Sequence, residues 1–120
     1  DGGDRFRINL FRSMGHTHAA IRRVQSKIPS FEDLGLPDVY KKTIAESIDG
    51  LILVSGVTGS GKSSTLAAMM DYINEHRSMH VITIEDPIEF MFHHKKCIIG
   101  QREVGLDTLY FYNALCEAMR

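Results

Sequence analysis

The chain has 120 residues, 43% of them hydrophobic, with 14 Lys plus Arg against 15 Asp plus Glu. That is enough apolar material for one small core, and too balanced a charge to hold nucleic acid or an anionic membrane by a broad field. The longest aliphatic run, Leu51 to Val54, falls far short of the roughly 20 residues that span a bilayer, and the amino end shows no signal-peptide pattern, so a soluble, cytoplasmic protein without a transmembrane segment is expected.

From the amino end, Asp4 to Arg12 alternates Phe6, Ile8 and Leu10 against Arg5, Arg7 and Asn9, the period of a strand that buries its apolar face. Gly15 marks a turn, and Ala19 to Lys27 reads as a second strand or an extended connector. Ser30, with Asp33 three residues on, carries the capping signature of a short helix. Pro37 and Asp38 open another helix to about Glu46, with Val39 and Ile44 as buried candidates, before Asp49 and Gly50 break the chain. Leu51 to Val54 is apolar on both faces, as a central strand of a covered parallel sheet must be. Lys62 to about Arg77 is an amphipathic helix striped by Leu66, Met69, Met70 and Ile73. His80 to Glu85 is the next strand, completing one βαβ unit. A last helix is expected from Thr108 to Arg120 on Leu109, Tyr112, Leu115, Cys116 and Met119. Cys97 and Cys116 form no CxxC pair and read as reduced, buried thiols.

Between the apolar strand and the first long helix, Gly56 to Ser63 reads GVTGSGKS, a full match to GxxxxGKS in the context that motif requires. Gly56, Gly59 and Gly61 let backbone N–H groups curl around phosphate oxygens. The helix start adds its positive pole, the Lys62 ammonium reaches the β and γ phosphates of ATP, and the Ser63 hydroxyl ligates Mg²⁺. Thr58, Ser60 and Ser64 complete the set of candidate nucleotide contacts. In VITIEDPIE, Glu85 and Asp86 leave the carboxyl end of a strand, the edge where open α/β sheets bind ligands. They serve either as acids that hold Mg²⁺ or as a carboxylate that orients the attacking water, and spacing leaves both roles open. His16 with His18 and His93 with His94 lack a third ligand at metal-site spacing and read as turn and loop residues. The Tyr110–Tyr112 run stands beside no cationic cluster and reads as core or subunit contact.

Together GVTGSGKS, TLAAMMDYINE, VITIEDPIEF and KKCIIGQREVGLDT resemble the secretion ATPase superfamily and, within it, the type IV pilus retraction ATPases; the resemblance runs from DRFRINLFR onward. It implies an α/β, RecA-like P-loop core over 51–120, linker helices over 29–50, and over 1–28 the end of a PAS-like β-containing domain. It further implies a homo-hexameric motor, peripheral at the inner membrane, that works on pili through a pilus platform protein. The superfamily's acidic box matches Ile84 to Glu89, which gives Glu85 a catalytic and Mg²⁺-organising role with Asp86 and Glu89 in support. Arg5, Arg7, Arg12 and Arg22 match arginines that reach nucleotide across a subunit boundary. The stretch QREVG, Gln101 to Gly105, favours the retraction branch over assembly or type II secretion motors, and leaves a non-hydrolysing accessory paralogue as the alternative. The family's pattern continues beyond Arg120 into its Walker B strand and His box, so the chain reads as a fragment that binds nucleotide without working as a motor alone.

Overall fold

A computed structural model describes residues 5–25 and 27–120; Asp4 and the side chain of Arg5 lie outside the described residues. Strands β1 (Arg5–Ser13) and β2 (His16–Val24) form an antiparallel hairpin. Its two-residue turn, Met14–Gly15, has positive φ at both positions (52° and 80°), the geometry that matches strand twist. The candidate connector 19–27 is therefore mostly strand. Phe6, Ile8 and Leu10 do share a face, joined across the register by Ile21, but all four are at least half exposed. The expected burial fails because a hairpin has two faces, and no described element is laid over this one.

Ser30 and Asp33 make both bonds of a capping box: each backbone N–H donates to the other's side chain at 3.0 Å. No helix follows. Residues 31–35 form turns, since Gly35 takes φ 60° and Pro37 ends the segment two residues later. Helix α1 (Asp38–Glu46) starts at Pro37 as expected and buries Ile44, whereas Val39 is 60% exposed on its outer side. Helix α2 (Lys62–His76) packs on it, and Phe31, Ile44, Ala68 and Met69 form the buried cluster with Leu34, Leu36, Tyr72 and Ile73 at its margin. Ala67 and Ala68 are buried where Leu66 remains 44% exposed, so the close face of α2 is its alanine side.

Strand β3 (His80–Glu85) pairs in parallel with β4 (Ile98–Glu103), a strand the sequence reading lacks, in the register Thr83 to Gln101 and Glu85 to Glu103. The architecture is α/β with one parallel pair and one hairpin among the described residues. Leu51–Val54 is a correction: it joins no ladder, and Leu51 and Leu53 are each 81% exposed. A strand exists only with a hydrogen-bonding neighbour, and among the described residues none pairs with 51–54. Helix α3 (Phe111–Ala118) is shorter than expected and is anchored by Ala114, fully buried, while Leu109, Tyr112, Leu115 and Met119 are exposed. Cys97 is buried and Cys116 only half-buried, both as free thiols.

Candidate functional site

The glycine loop enters α2 through Gly61, which takes φ 89° and ψ 14° at the N-cap, a left-handed conformation that costs a side-chain-bearing residue about 1 kcal/mol. At Gly56 the constraint is space: a Cβ there would lie 2.6 Å from Ser60 Oγ. No side chain caps α2 and no acid sits in its first turn, so the first N–H groups keep their donors and the positive pole is uncompensated. The Lys62 ammonium folds back over the loop and donates to the Val57 carbonyl at 2.8 Å. The same carbonyl accepts the Ser60 N–H at 3.2 Å, which closes the turn.

Glu85 ends β3, and the structure brings it together with Asp86, Glu89 and Ser63 around one cavity of about 220 Å³, walled by Leu66, Ala67, Met70, Pro87, Phe90 and Phe92. Pockets for whole drug-sized ligands run from about 300 Å³ upward. The cavity is therefore smaller than a site for a whole drug-sized ligand, and its apolar walls strengthen any charge interaction inside it. The Ser63 hydroxyl and the carboxylates of Glu85, Asp86 and Glu89 line it, oxygen groups of the kind a hard divalent cation takes, while the Lys62 ammonium stays on the glycine loop beside it.

The arginines separate. Arg7 and Arg22 are register partners and line a second cavity of about 310 Å³ with Arg23, Ser64 and Glu89. Arg12, odd in parity to Arg7, stands near the hairpin tip on the face of Phe6, Ile8 and Leu10. Nor is Arg7 without an acid: its guanidinium lies 3.8 Å from the Glu103 carboxylate. Glu103 faces Glu85 across the parallel pair and also accepts the Ile88 N–H at 3.2 Å, so the two like charges are served by different donors. Below Arg7 the hairpin is stitched to the acidic loop by main-chain bonds from Gln25 N–H to Glu89 O (3.3 Å) and from Met91 N–H to Gln25 O (3.4 Å).

Sequence reasoning missed Thr83, Gln101, Glu103 and Asn74. Gln101 and Glu103 alternate along IIGQRE with the period of a strand, which was the available signal. Asn74 is fully buried and holds the 93–97 loop on α2. Among the described residues no cluster of three His, Cys, Asp or Glu could hold a metal ion, and no helix is long and apolar enough to cross a membrane. His18 stacks on Phe11, and His94 Nδ1 accepts the Ile99 N–H at 3.0 Å. Arg77, just past the end of α2, donates to the Ala45 and Ser47 carbonyls at the end of α1.

The family model of the Type II/IV secretion system protein matches residues 3–120. The chain is 49% identical over 119 residues to the Pseudomonas aeruginosa "Type IV pilus retractation ATPase PilT", covering 99% of this chain and 34% of that protein. It is 51% identical over 116 residues to a Neisseria gonorrhoeae "Twitching motility protein", covering 97% and 31%. Among solved structures, the pilus retraction motor PilT with bound ADP superposes with a TM-score of 0.93 at 54% identity over 99% of this chain and 34% of that one. The Legionella pneumophila ATPase DotB gives 0.80 at 27% identity, over 98% and 34%. The chain spans about a third of the length of the relatives it matches.

Proposed function

The chain belongs to the family of Type II/IV secretion system proteins, and from that premise we propose that it is the ATP-binding segment of an ATPase motor that drives type IV pilus retraction. One observation carries the reading: Ser63, at the start of the helix that follows the glycine loop, shares a cavity of about 220 Å³ with Glu85 and Asp86 at the end of β3. The likeness to a retraction ATPase over nearly the whole chain and to an ADP-bound retraction motor supports it. In this reading residues 51–120 are the first part of a RecA-like P-loop domain, 29–50 the linker, and 1–28 the end of a PAS-like domain. The working protein is a homo-hexamer at the cytoplasmic side of the inner membrane, acting on the pilus through a platform protein.

The loop glycines, Thr58, Ser60 and the first N–H groups of α2 bind and orient the phosphates, and Lys62 exchanges its bond to the Val57 carbonyl for a phosphate oxygen. Ser63 and Glu85 are the residues that would hold Mg²⁺, which when bound would neutralise charge that develops on the phosphates. Glu85 also orients the attacking water and takes its proton, with Asp86 and Glu89 keeping the cavity acidic on that side. The apolar wall from Leu66 to Phe92 excludes competing water. Arg7 and Arg22, which share a cavity with Ser64, offer guanidinium charge to nucleotide at a subunit boundary in this reading, and Arg5 and Arg12 complete the set proposed from the family resemblance.

The test compares two variants of the full-length protein by nucleotide titration and phosphate release. Lys62→Ala is expected to lose nucleotide binding. Glu85→Gln is expected to keep affinity within a few fold while turnover falls by about 10² or more, because the carboxylate acts mainly in the transition state. Phosphate release from the parent no higher than from Lys62→Ala overturns the reading.

A further inference from the structure

Glu85 does not stand alone at the end of β3. Thr83 lies two residues earlier, on the same face of the strand, and Gln101 is the register partner of Thr83 on β4. Both donate to one carboxylate oxygen: Thr83 Oγ1 to Glu85 Oε1 at 2.7 Å, and Gln101 Nε2 to the same Oε1 at 3.1 Å. The Gln101 amide is occupied at its other positions as well. Nε2 also donates to the Phe90 carbonyl at 2.8 Å, and Oε1 accepts the Phe92 N–H at 2.9 Å.

Only one orientation of that amide satisfies all three neighbours. A carboxylate and a carbonyl need donors, whereas a backbone N–H needs an acceptor, so turning the amide over would set oxygen against oxygen twice and N–H against N–H once. Phe90 is itself buried, so the wall to which the amide is fastened is fixed. Gln101 thus ties the carboxylate to the 90–92 wall of the same cavity by three bonds. Both donors to Glu85 fall on Oε1, so among the described residues Oε2 carries no such bond, and Glu85 itself lines the cavity.

We propose that Gln101 is the positioning residue for Glu85, an amide clamp that occupies Oε1 and thereby presents Oε2 to the reacting end of the bound nucleotide. The proposal rests on the ATPase reading above. It assigns Gln101 no contact with substrate; the amide acts only through the carboxylate it holds.

The test is a double-mutant cycle in the full-length protein: Gln101→Met and Gln101→Glu, each alone and combined with Glu85→Gln. Methionine keeps the bulk and removes the bonds, whereas glutamate keeps the shape and replaces the donor with an acceptor. Each single variant is expected to lower turnover about tenfold or more with nucleotide Kd within threefold. In the Glu85→Gln background the same substitution is expected to change residual turnover less than threefold, because the group being positioned has already lost its function. Losses that multiply across the cycle, a Kd that weakens in step with turnover, or single variants as active as the parent would each overturn the proposal. Should Gln101→Met melt before assay temperature, the isosteric Gln101→Glu carries the cycle alone. A parent protein with no turnover above Lys62→Ala overturns the ATPase reading and the clamp's catalytic use together, whereas multiplying losses in an active parent overturn the clamp only.

Discussion

Replacing Asn74 by alanine tests whether the α2 scaffold depends on one buried amide. Asn74 is 0% exposed. Its Nδ2 donates to the His93 carbonyl at 2.7 Å, and its Oδ1 accepts the Lys95 and Cys97 N–H groups at 3.1 and 3.2 Å. Alanine leaves one carbonyl and two N–H groups without these partners. A buried polar group stranded in this way costs about 1–3 kcal/mol. Cys97 is buried and pays in full, while Lys95 and His93 are exposed and recover water. The expected loss is therefore about 2–4 kcal/mol rather than three full penalties. Urea unfolding reads the total, and amide hydrogen exchange at Lys95 and Cys97 reads the cause, with faster exchange at both. Asn74→Asp keeps the acceptor and loses the donor, so it should preserve protection at Lys95 and Cys97 better than alanine does while remaining destabilised by a buried charge. A loss below about 1 kcal/mol, with protection at 95 and 97 unchanged, refutes the reasoning.

Gly56→Ala should weaken nucleotide affinity by about tenfold or more, since its Cβ would meet Ser60 Oγ at 2.6 Å and the phosphate-facing turn must shift. Adding Ser60→Ala removes the obstructing oxygen and should recover part of that loss in the same titration, and no recovery would show that the contact is not the cause. Lys95 is held by Asp71 and Glu75 at 2.8 Å each. The hydrogen bond from Lys95 holds the Glu75 carboxyl below its usual value of 4.5. Burial draws the Lys95 ammonium down, yet its bonds to Asp71 and Glu75 outweigh that and raise it above 10.5. The stability these groups add is thus complete between those pH values, is lost as pH falls below 4.5 through the lowered carboxyl pKa, and is lost again above 10.5. The difference in melting temperature between parent and Lys95→Met should be flat in that window and shrink on acidification; a difference that grows in acid refutes the assignment. Arg7→Ala should cost under about 1 kcal/mol, because its ion pair with Glu103 is long and half exposed. A coupling above about 2 kcal/mol in a cycle with Glu103→Gln would contradict that.

What was legible in the sequence was local. GVTGSGKS announces its turn because Gly59 and Gly61 adopt positive φ and a helix follows at once, and the Ser30–Asp33 capping box forms even where the helix it foretold does not. The placement of Glu85 and Asp86 beside Ser63 was readable from a strand end and a motif alone. What required partners was not readable. Leu51–Val54 has the composition of a central strand and lacks a ladder, and the hairpin's alternation predicts a buried face that no described element covers. Gln101 was legible only as part of the QREVG stretch and not as a site residue, because a glutamine has no chemistry of its own to advertise and its hold on Glu85 arises only from the register that sets it beside Thr83.

The fastening of the hairpin near one end has a mechanical consequence. Nine residues per strand make a ribbon about 30 Å long. Its ties, the Gln25 main-chain bonds to the acidic loop and the Arg7 guanidinium to Glu103 at the end of β4, fall within its first few residues, about 10 Å of that length. The ribbon is therefore a lever with its fulcrum against the loop that carries Glu89. With about 20 Å of ribbon free beyond the ties and about 10 Å within them, a swing at the Met14–Gly15 tip is halved at the tied end and the force is about doubled by the ratio of the arms. A load applied at the tip would thus be felt first, and most strongly, by the peptide that borders the carboxylates.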